Sequence, residues 1–300
     1  MRTRLASLLP RAAGALFTLS AAALGQDSTP SPGAALDTSV ARSATPGNIL
    51  ASVSSFSSAP SKTFFTHHDL ELTALALAGA AVVSSFDKRL AHYSQTASVQ
   101  GSTSRQRVAK KLTKINWASL TVVSLAGYGL GRLTRSPTVA EVSLHTAEAV
   151  VLTTLISGAI RAPLGRARPL VDINDPYHFR FGKGFTQLNN RSFPSLHSST
   201  AFAAAAAISG EIHARNPSTN AFVSPLLYTA AAIPGLTRIY LNQHWASDIV
   251  AGGFIGVLIG SRVVSYAHSH DRWKLDRFLL GTSDASIGHR GTMLSVTLEY

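Results

Sequence analysis

In the stretch QHWASDIVAGG, His244 and Asp248 stand four residues apart at the head of a long apolar run. In a helix that spacing puts both side chains on one face. A carboxylate at one ring nitrogen fixes the tautomer and leaves the other nitrogen's lone pair aimed outward, which makes an imidazole a nucleophile. The same pair would also serve as a plain helix cap. Arg238 precedes them in the run TRIYLNQHWASD. A second cluster, RSFPSLHSST, places Ser195, Leu196 and His197 where an alanine-rich segment opens. A helix N-terminus presents unpaired N–H groups and the positive end of the helix dipole, which suits an anion. Ser195 adds a hydroxyl, or is no more than an N-cap; His197 adds a group that moves protons near neutral pH. The third cluster, RAPLGRARP, closes another apolar segment with Arg161, Arg166, Arg168 and Pro169. Proline is expected to stop that helix, with the arginines projecting from its end. Guanidinium groups suit bidentate contact with phosphate oxygens; a solvated basic helix end is the alternative.

Taken in order, the three clusters resemble the signature of the type 2 phosphatidic acid phosphatase (PAP2) superfamily, which includes the vanadium haloperoxidases and bacterial class A acid phosphatases. The family pattern is Lys-x6-Arg-Pro, then Pro-Ser-Gly-His, then Ser-Arg-x5-His-x3-Asp. Here Arg161 and six intervening residues lead to Arg168-Pro169, followed by Pro194-Ser195-Leu196-His197. Then come Thr237-Arg238, five intervening residues, His244, three more and Asp248. Three positions depart from the pattern. Arg161 replaces lysine and keeps the charge in a different geometry. Leu196 replaces a glycine, which restricts φ and narrows the approach to a backbone N–H. Thr237 replaces serine and keeps a hydroxyl.

The resemblance implies a fold, a site and a reaction. The fold is all-α, a six-helix bundle. His244 attacks phosphorus, Asp248 orients it, and His197 protonates the leaving oxygen and then activates water. Arg161, Arg168, Ser195, the backbone at Leu196 and Arg238 hold the phosphoryl oxygens, so cationic donors supply the charge neutralisation that a metal supplies elsewhere. No metal or other cofactor is implied. Vanadate is an expected inhibitor. In the alternative reading, a vanadium-dependent haloperoxidase, it is the cofactor. A non-catalytic anion- or lipid-binding protein is the third class, which an oriented nucleophile argues against.

Six apolar segments must position these groups: Leu70–Phe86, Ile115–Leu133, Val139–Ile160, Thr200–Ile212, Ala221–Ile233 and Ile249–Tyr266. A short polar helix is expected around Asp87–Gln95, and Asp69 as an N-cap of the first segment. Gly127/Gly131 and Gly252/Gly256/Gly260 lie inside apolar runs at helical spacing, which favours close helix packing over a nucleotide loop. His67-His68 reads as a helix start and His145 as a core histidine. The segment Leu170–Asn190, with Tyr177, Phe179, Phe181, Phe185, Arg180 and Lys183, is expected either to wall the substrate pocket or to pack as a surface loop.

The chain of 300 residues carries a formal net charge of +12 and no cysteine, which excludes disulfides, a thiol nucleophile and cysteine-ligated metals. Setting aside Arg2, Arg4 and Arg11 leaves 24 basic against 15 acidic residues. That excess reads either as ordinary solubility or as an anionic partner, a phosphate or a membrane surface before a nucleic acid; the resemblance implies that the partner is a phosphorylated lipid or a small phosphate ester. No nucleic-acid-binding signature is present. Residues 1–25, a basic start followed by AAGALFTLSAAALG, read as a signal peptide, with an uncleaved anchor as the alternative, and so as export, to a periplasmic, membrane-associated or integral membrane location. Residues 26–62 read as a disordered linker, 63–270 as the phosphatase-like domain and 271–300 as a tail with a strand-like end. If a signal is cleaved and all six segments span a membrane, the RAPLGRARP cluster faces the cytoplasm. The resemblance instead implies a site on the periplasmic face, so the expectation is that not all of them span, although the basic run Arg105–Lys114 favours an inside position.

Overall fold

The computed structural model describes residues 63–270; the expected signal peptide, linker and strand-like tail lie outside the described residues. Nine α-helices follow in order: α1 (His67–Ser84), α2 (Asp87–Ser94), α3 (Ala97–Gln100), α4 (Thr103–Leu112), α5 (Trp117–Leu133), α6 (Pro137–Leu164), α7 (Leu196–Arg215), α8 (Pro217–Tyr240) and α9 (Ala246–Ser269). No strand occurs among the described residues; an isolated bridge joins Arg166 to Phe179. Each of the six apolar segments falls on one of the longer helices, and the short polar segment forms α2.

The alanine run of α7 explains its central place. α6, α8 and α9 pack around it, and Ala203 and Ala207 are fully buried beside Ala149, Ile259, Val263 and Val264. Side chains this small let backbones approach closely. A Cβ on Gly256 would lie 2.1 Å from the Ser199 carbonyl, and one on Gly260 2.4 Å from that of Ala203. The α5–α6 pair is built the same way, since a Cβ on Gly131 would meet the Ala140 nitrogen at 2.5 Å. These glycines are packing surfaces, as their placement inside apolar runs indicates.

Two local expectations need correction. The N-cap of α1 is Thr66, not Asp69. Asp69 sits at N3, accepts from the Thr66 N–H at 2.7 Å, and pairs with Arg262 of α9 at 2.6 Å. α6 ends not at Pro169 but at Gly165, whose φ of 63° closes the helix in the left-handed conformation. Pro163 is accommodated in the final turn, and Arg166 and Arg168 belong to the following loop. α8 extends beyond its apolar segment, through Pro225 and Pro234 to Tyr240, so Arg238 rides on its last turn.

α6 and α9 are long and apolar enough to cross a membrane, and the pair α1–α2, bent by 56°, would make a third span if taken together. Large apolar side chains stand exposed along the outer faces of α1, α5 and α8, including Leu75, Val123, Leu133, Phe222 and Leu226.

Candidate active site

The last turn of α6, the first turns of α7 and α9, the last turn of α8 and the Gly165–Ser195 loop meet at one end of the bundle. All eight residues singled out from the sequence lie there. His244 is the second residue before α9, and its Nδ1 stands 3.4 Å from Asp248 Oδ2, both side chains being buried. Asp248 lies at N3 of α9, where its Oδ2 also accepts from the Trp245 N–H at 2.9 Å and the Ser192 hydroxyl at 2.5 Å. One carboxylate oxygen therefore contacts both the N-cap amide of the helix and the imidazole.

Behind Asp248 lies a polar spine that the sequence does not reveal. Arg166 donates to Asp248 Oδ1 at 2.5 Å and to Asp87 Oδ2 at 2.8 Å. Asp87 in turn accepts from the Ser247 N–H at 2.9 Å and from the Ser247 hydroxyl at 2.5 Å. Arg166 also donates to the Pro176 carbonyl, and its guanidinium lies over the rings of Phe179 and Trp245. It is thus enclosed and serves the carboxylates, not a phosphate, unlike its neighbours in the RAPLGRARP run. Such buried charges persist only when fully paired.

The surroundings of the two histidines are cationic. Arg238 contacts the His197 ring, and Arg168 donates to Gln243 at 2.9 Å. Arg161 donates to the Arg191 carbonyl and lies within electrostatic reach of Arg168, Arg191 and Arg238. The Nε–H groups of Arg161, Arg168 and Arg238 are buried and have no hydrogen-bond partner. Unpaired buried donors are costly, and three of them lie on neighbouring cations, an arrangement that an anion would relieve. The Arg238 guanidinium is pulled to about 10, first by burial and then by Arg168. It remains charged, and the like charges repel.

Ser195 is the N-cap of α7, with its hydroxyl facing the Ser198 N–H and its own N–H donating to the Asp248 carbonyl at 3.0 Å. Gly252 makes this joint: a Cβ there would meet the Ser195 carbonyl at 2.6 Å. Leu196 is the first residue of α7. Among the described non-glycine residues only Arg135 and Asn242 have positive φ. Leucine therefore meets no backbone strain at this position, which removes the conformational objection to it. The Thr237 hydroxyl bonds the Pro234 carbonyl of its own helix.

His197 is depressed to about 3, by burial first, then by Arg238 and by His244. His244 is depressed to about 4, by burial, against the raising effect of Asp248. Both imidazoles are neutral at pH 7 in the unligated site, as an attacking nitrogen must be. The aromatic segment packs over this end. Gly165, where a Cβ would fall 1.8 Å from the Arg180 carbonyl, brings the loop against α6. Arg191 ties the loop down through the carbonyls of Gly184 and Phe185. Phe181, Phe185, Leu188 and Tyr177 stand exposed along it.

Comparison with known proteins agrees with this arrangement. The family model of the PAP2 superfamily matches residues 143–272, the part of the chain that holds every site residue named above except Asp87. The chain is similar to the lipid A 1-phosphatase of Porphyromonas gingivalis, with 42% identity over 69 residues. That stretch is 23% of this chain and 15% of the relative, so the likeness covers a small part of the relative's length. No solved structure matches the chain.

Proposed function

We propose that this protein is a phosphatase that hydrolyses a lipid phosphate or diphosphate through a phosphohistidine on His244, without a catalytic metal. The observation that carries it is the gathering of these groups in one place. A neutral histidine backed by a buried carboxylate lies within electrostatic reach of Arg161 and Arg168, and these two arginines and Arg238 carry buried Nε–H groups without partners. In the reaction, the free Nε2 of His244 attacks phosphorus in line as the bond to the leaving oxygen breaks. His197 takes up a proton from solvent once the phosphate anion lies among the arginines, gives that proton to the leaving oxygen, then takes one from the water that cleaves the P–N bond. Arg161, Arg168, Arg238, Ser195 and the N-terminal amides of α7 at Leu196 hold the non-bridging oxygens. Asp248 holds the imidazole in one tautomer and stabilises its positive charge in the phosphorylated state.

The relative's name favours a lipid-borne phosphate as the substrate class. So do the exposed apolar faces of α1, α5 and α8 and the aromatic segment beside the site. Vanadate, a mimic of the five-coordinate state, is expected to inhibit. The site end is placed on the periplasmic side, which accessibility of a protease site inserted in residues 170–190 of intact spheroplasts tests. The activity test is phosphate release in EDTA from an aryl phosphate, phosphatidic acid, a polyprenyl diphosphate and a phosphorylated lipid A. Release that disappears in His244→Ala supports the reading. No release from any of them by folded protein refutes it.

A further inference from the structure

At the far end of the bundle, three side chains from three helices converge on one point. Glu211 of α7 is fully buried. Its Oε1 faces His145 Nδ1 of α6 at 2.5 Å and His268 Nε2 of α9 at 3.0 Å. All three atoms lie within 4.8 Å of one another. Glu211 stands 14 residues beyond His197 on α7, roughly 21 Å away at ~1.5 Å per residue, so this group is separate from the phosphate site. No step of the proposed reaction uses it.

We propose that His145, Glu211 and His268 form a structural site for a divalent cation of the zinc type. Two imidazole nitrogens and one carboxylate oxygen are a donor set that first-row cations of this class favour. The outer contacts suit it as well. Arg215 holds the other Glu211 oxygen and is itself paired with Glu141 at 2.5 Å, which aims Oε1 at the imidazoles. Ligand carboxylates in metal sites are commonly oriented by such a partner. The helices are rigid here: a Cβ on Gly210, next to Glu211, would meet Val264 at 3.3 Å, one turn before His268. His145 and Glu211 are buried, whereas the His268 side chain is 42% exposed and provides the entry path and an open coordination position for water. Ligand atoms on a tetrahedral cation at ~2.0–2.1 Å sit about 3.4 Å apart. The two imidazoles need withdraw from Oε1 by less than about 1 Å, which rotation of the exposed His268 and a small tilt of His145 supply. The cation would staple the ends of α6, α7 and α9 that lie farthest from the catalytic groups.

The test uses the purified full chain in detergent, stripped with EDTA and dialysed free of it. Zn2+ is titrated by calorimetry, and Co2+ is followed by visible absorption. The expected result is one equivalent bound, with the intense visible bands of four-coordinate Co2+. Tm should rise by about 5–10 °C at a hundredfold excess over Kd. His268→Ala and Glu211→Gln should each lose that equivalent. His268→Ala removes a half-exposed group, so its Tm in EDTA should stay near that of the parent; if Glu211→Gln fails to fold, His268→Ala decides alone. No bound equivalent in the parent protein overturns the proposal and leaves a hydrogen-bonded Glu–His cluster. Binding that survives His268→Ala unchanged also overturns it.

Discussion

Arg166 and Asp248 form an ion pair of 2.5 Å in which both side chains are almost wholly enclosed. The second arm of the same guanidinium holds Asp87. The carboxylate that orients His244 is thus anchored from behind, through a loop residue, to the first turn of α2.

Removing Arg166 leaves two buried carboxylates without their cation. Arg166→Ala is expected to lower stability by about 3–5 kcal/mol, seen as a Tm drop of roughly 10 °C. Asp87→Asn is the milder probe. It should lower kcat more than it raises KM, because Asp87 supports Asp248 and His244 through Arg166 but touches no substrate. An equal loss in both variants of stability alone, with kcat intact, would show the spine to be purely structural.

The two histidines differ in how their loss should appear. His244→Ala should abolish turnover of every substrate. His197→Ala should lower turnover of lipid phosphates by roughly 10²–10⁴-fold. It should be less harmful for an aryl phosphate, whose leaving group needs no proton. With that substrate the variant should accumulate an acid-labile, base-stable phosphoenzyme, readable by intact-mass spectrometry after an alkaline quench.

Both histidines titrate below their ordinary value of about 6.5, His197 at about 3 and His244 at about 4. Above pH 6.5 folded and unfolded chains alike hold them neutral, and their contribution to stability is complete. As pH falls from there toward 4, the unfolded chain binds protons that the native site refuses, so stability falls. Tm measured from pH 8 to pH 5 should decline, and His197→Gln should flatten the slope by close to one proton. An anion bound among the arginines reverses the field at His197. Vanadate binding should therefore take up protons, measurable by calorimetry in buffers of different ionisation enthalpy.

Leu196 lies inside the first turn of α7 with no demand for a positive φ. Leu196→Gly, which restores the family pattern, should lower stability by about 0.5–1 kcal/mol. It should change kcat with an aryl phosphate by less than about threefold. A gain of an order of magnitude would mean that the leucine side chain obstructs the phosphate. Parallel assays with short- and long-chain lipid phosphates would show where.

Much of the site was legible because its pairs are local. His244 and Asp248 are one helical turn apart, and Ser195 precedes His197 at a helix start, so periodicity and end chemistry place them without a fold. Asp87, Ser192 and Arg191 carried no such signal. Asp87 opens a short polar helix whose meaning depends on Arg166, 79 positions later. Arg166 itself was visible only as one arginine among three, since nothing in RAPLGRARP says which of them turns inward. The end of α6 was misplaced because a glycine that can turn left-handed stops a helix more abruptly than a proline four residues on.

By itself the sequence determined the helical segments, their close-packing glycines, the order of the three motifs and the charge types they bring, all properties of residues within a few turns of one another. The tertiary structure alone decided which cation faces which carboxylate. Arg166 is turned to Asp248 and Asp87, while Arg161, Arg168 and Arg238 keep unpaired Nε–H groups beside His197. It also decided that Glu211 meets two histidines from other helices. The reason is burial. A charge removed from water must find its partner in space, and on a bundle of antiparallel helices the nearest partner is rarely near in sequence.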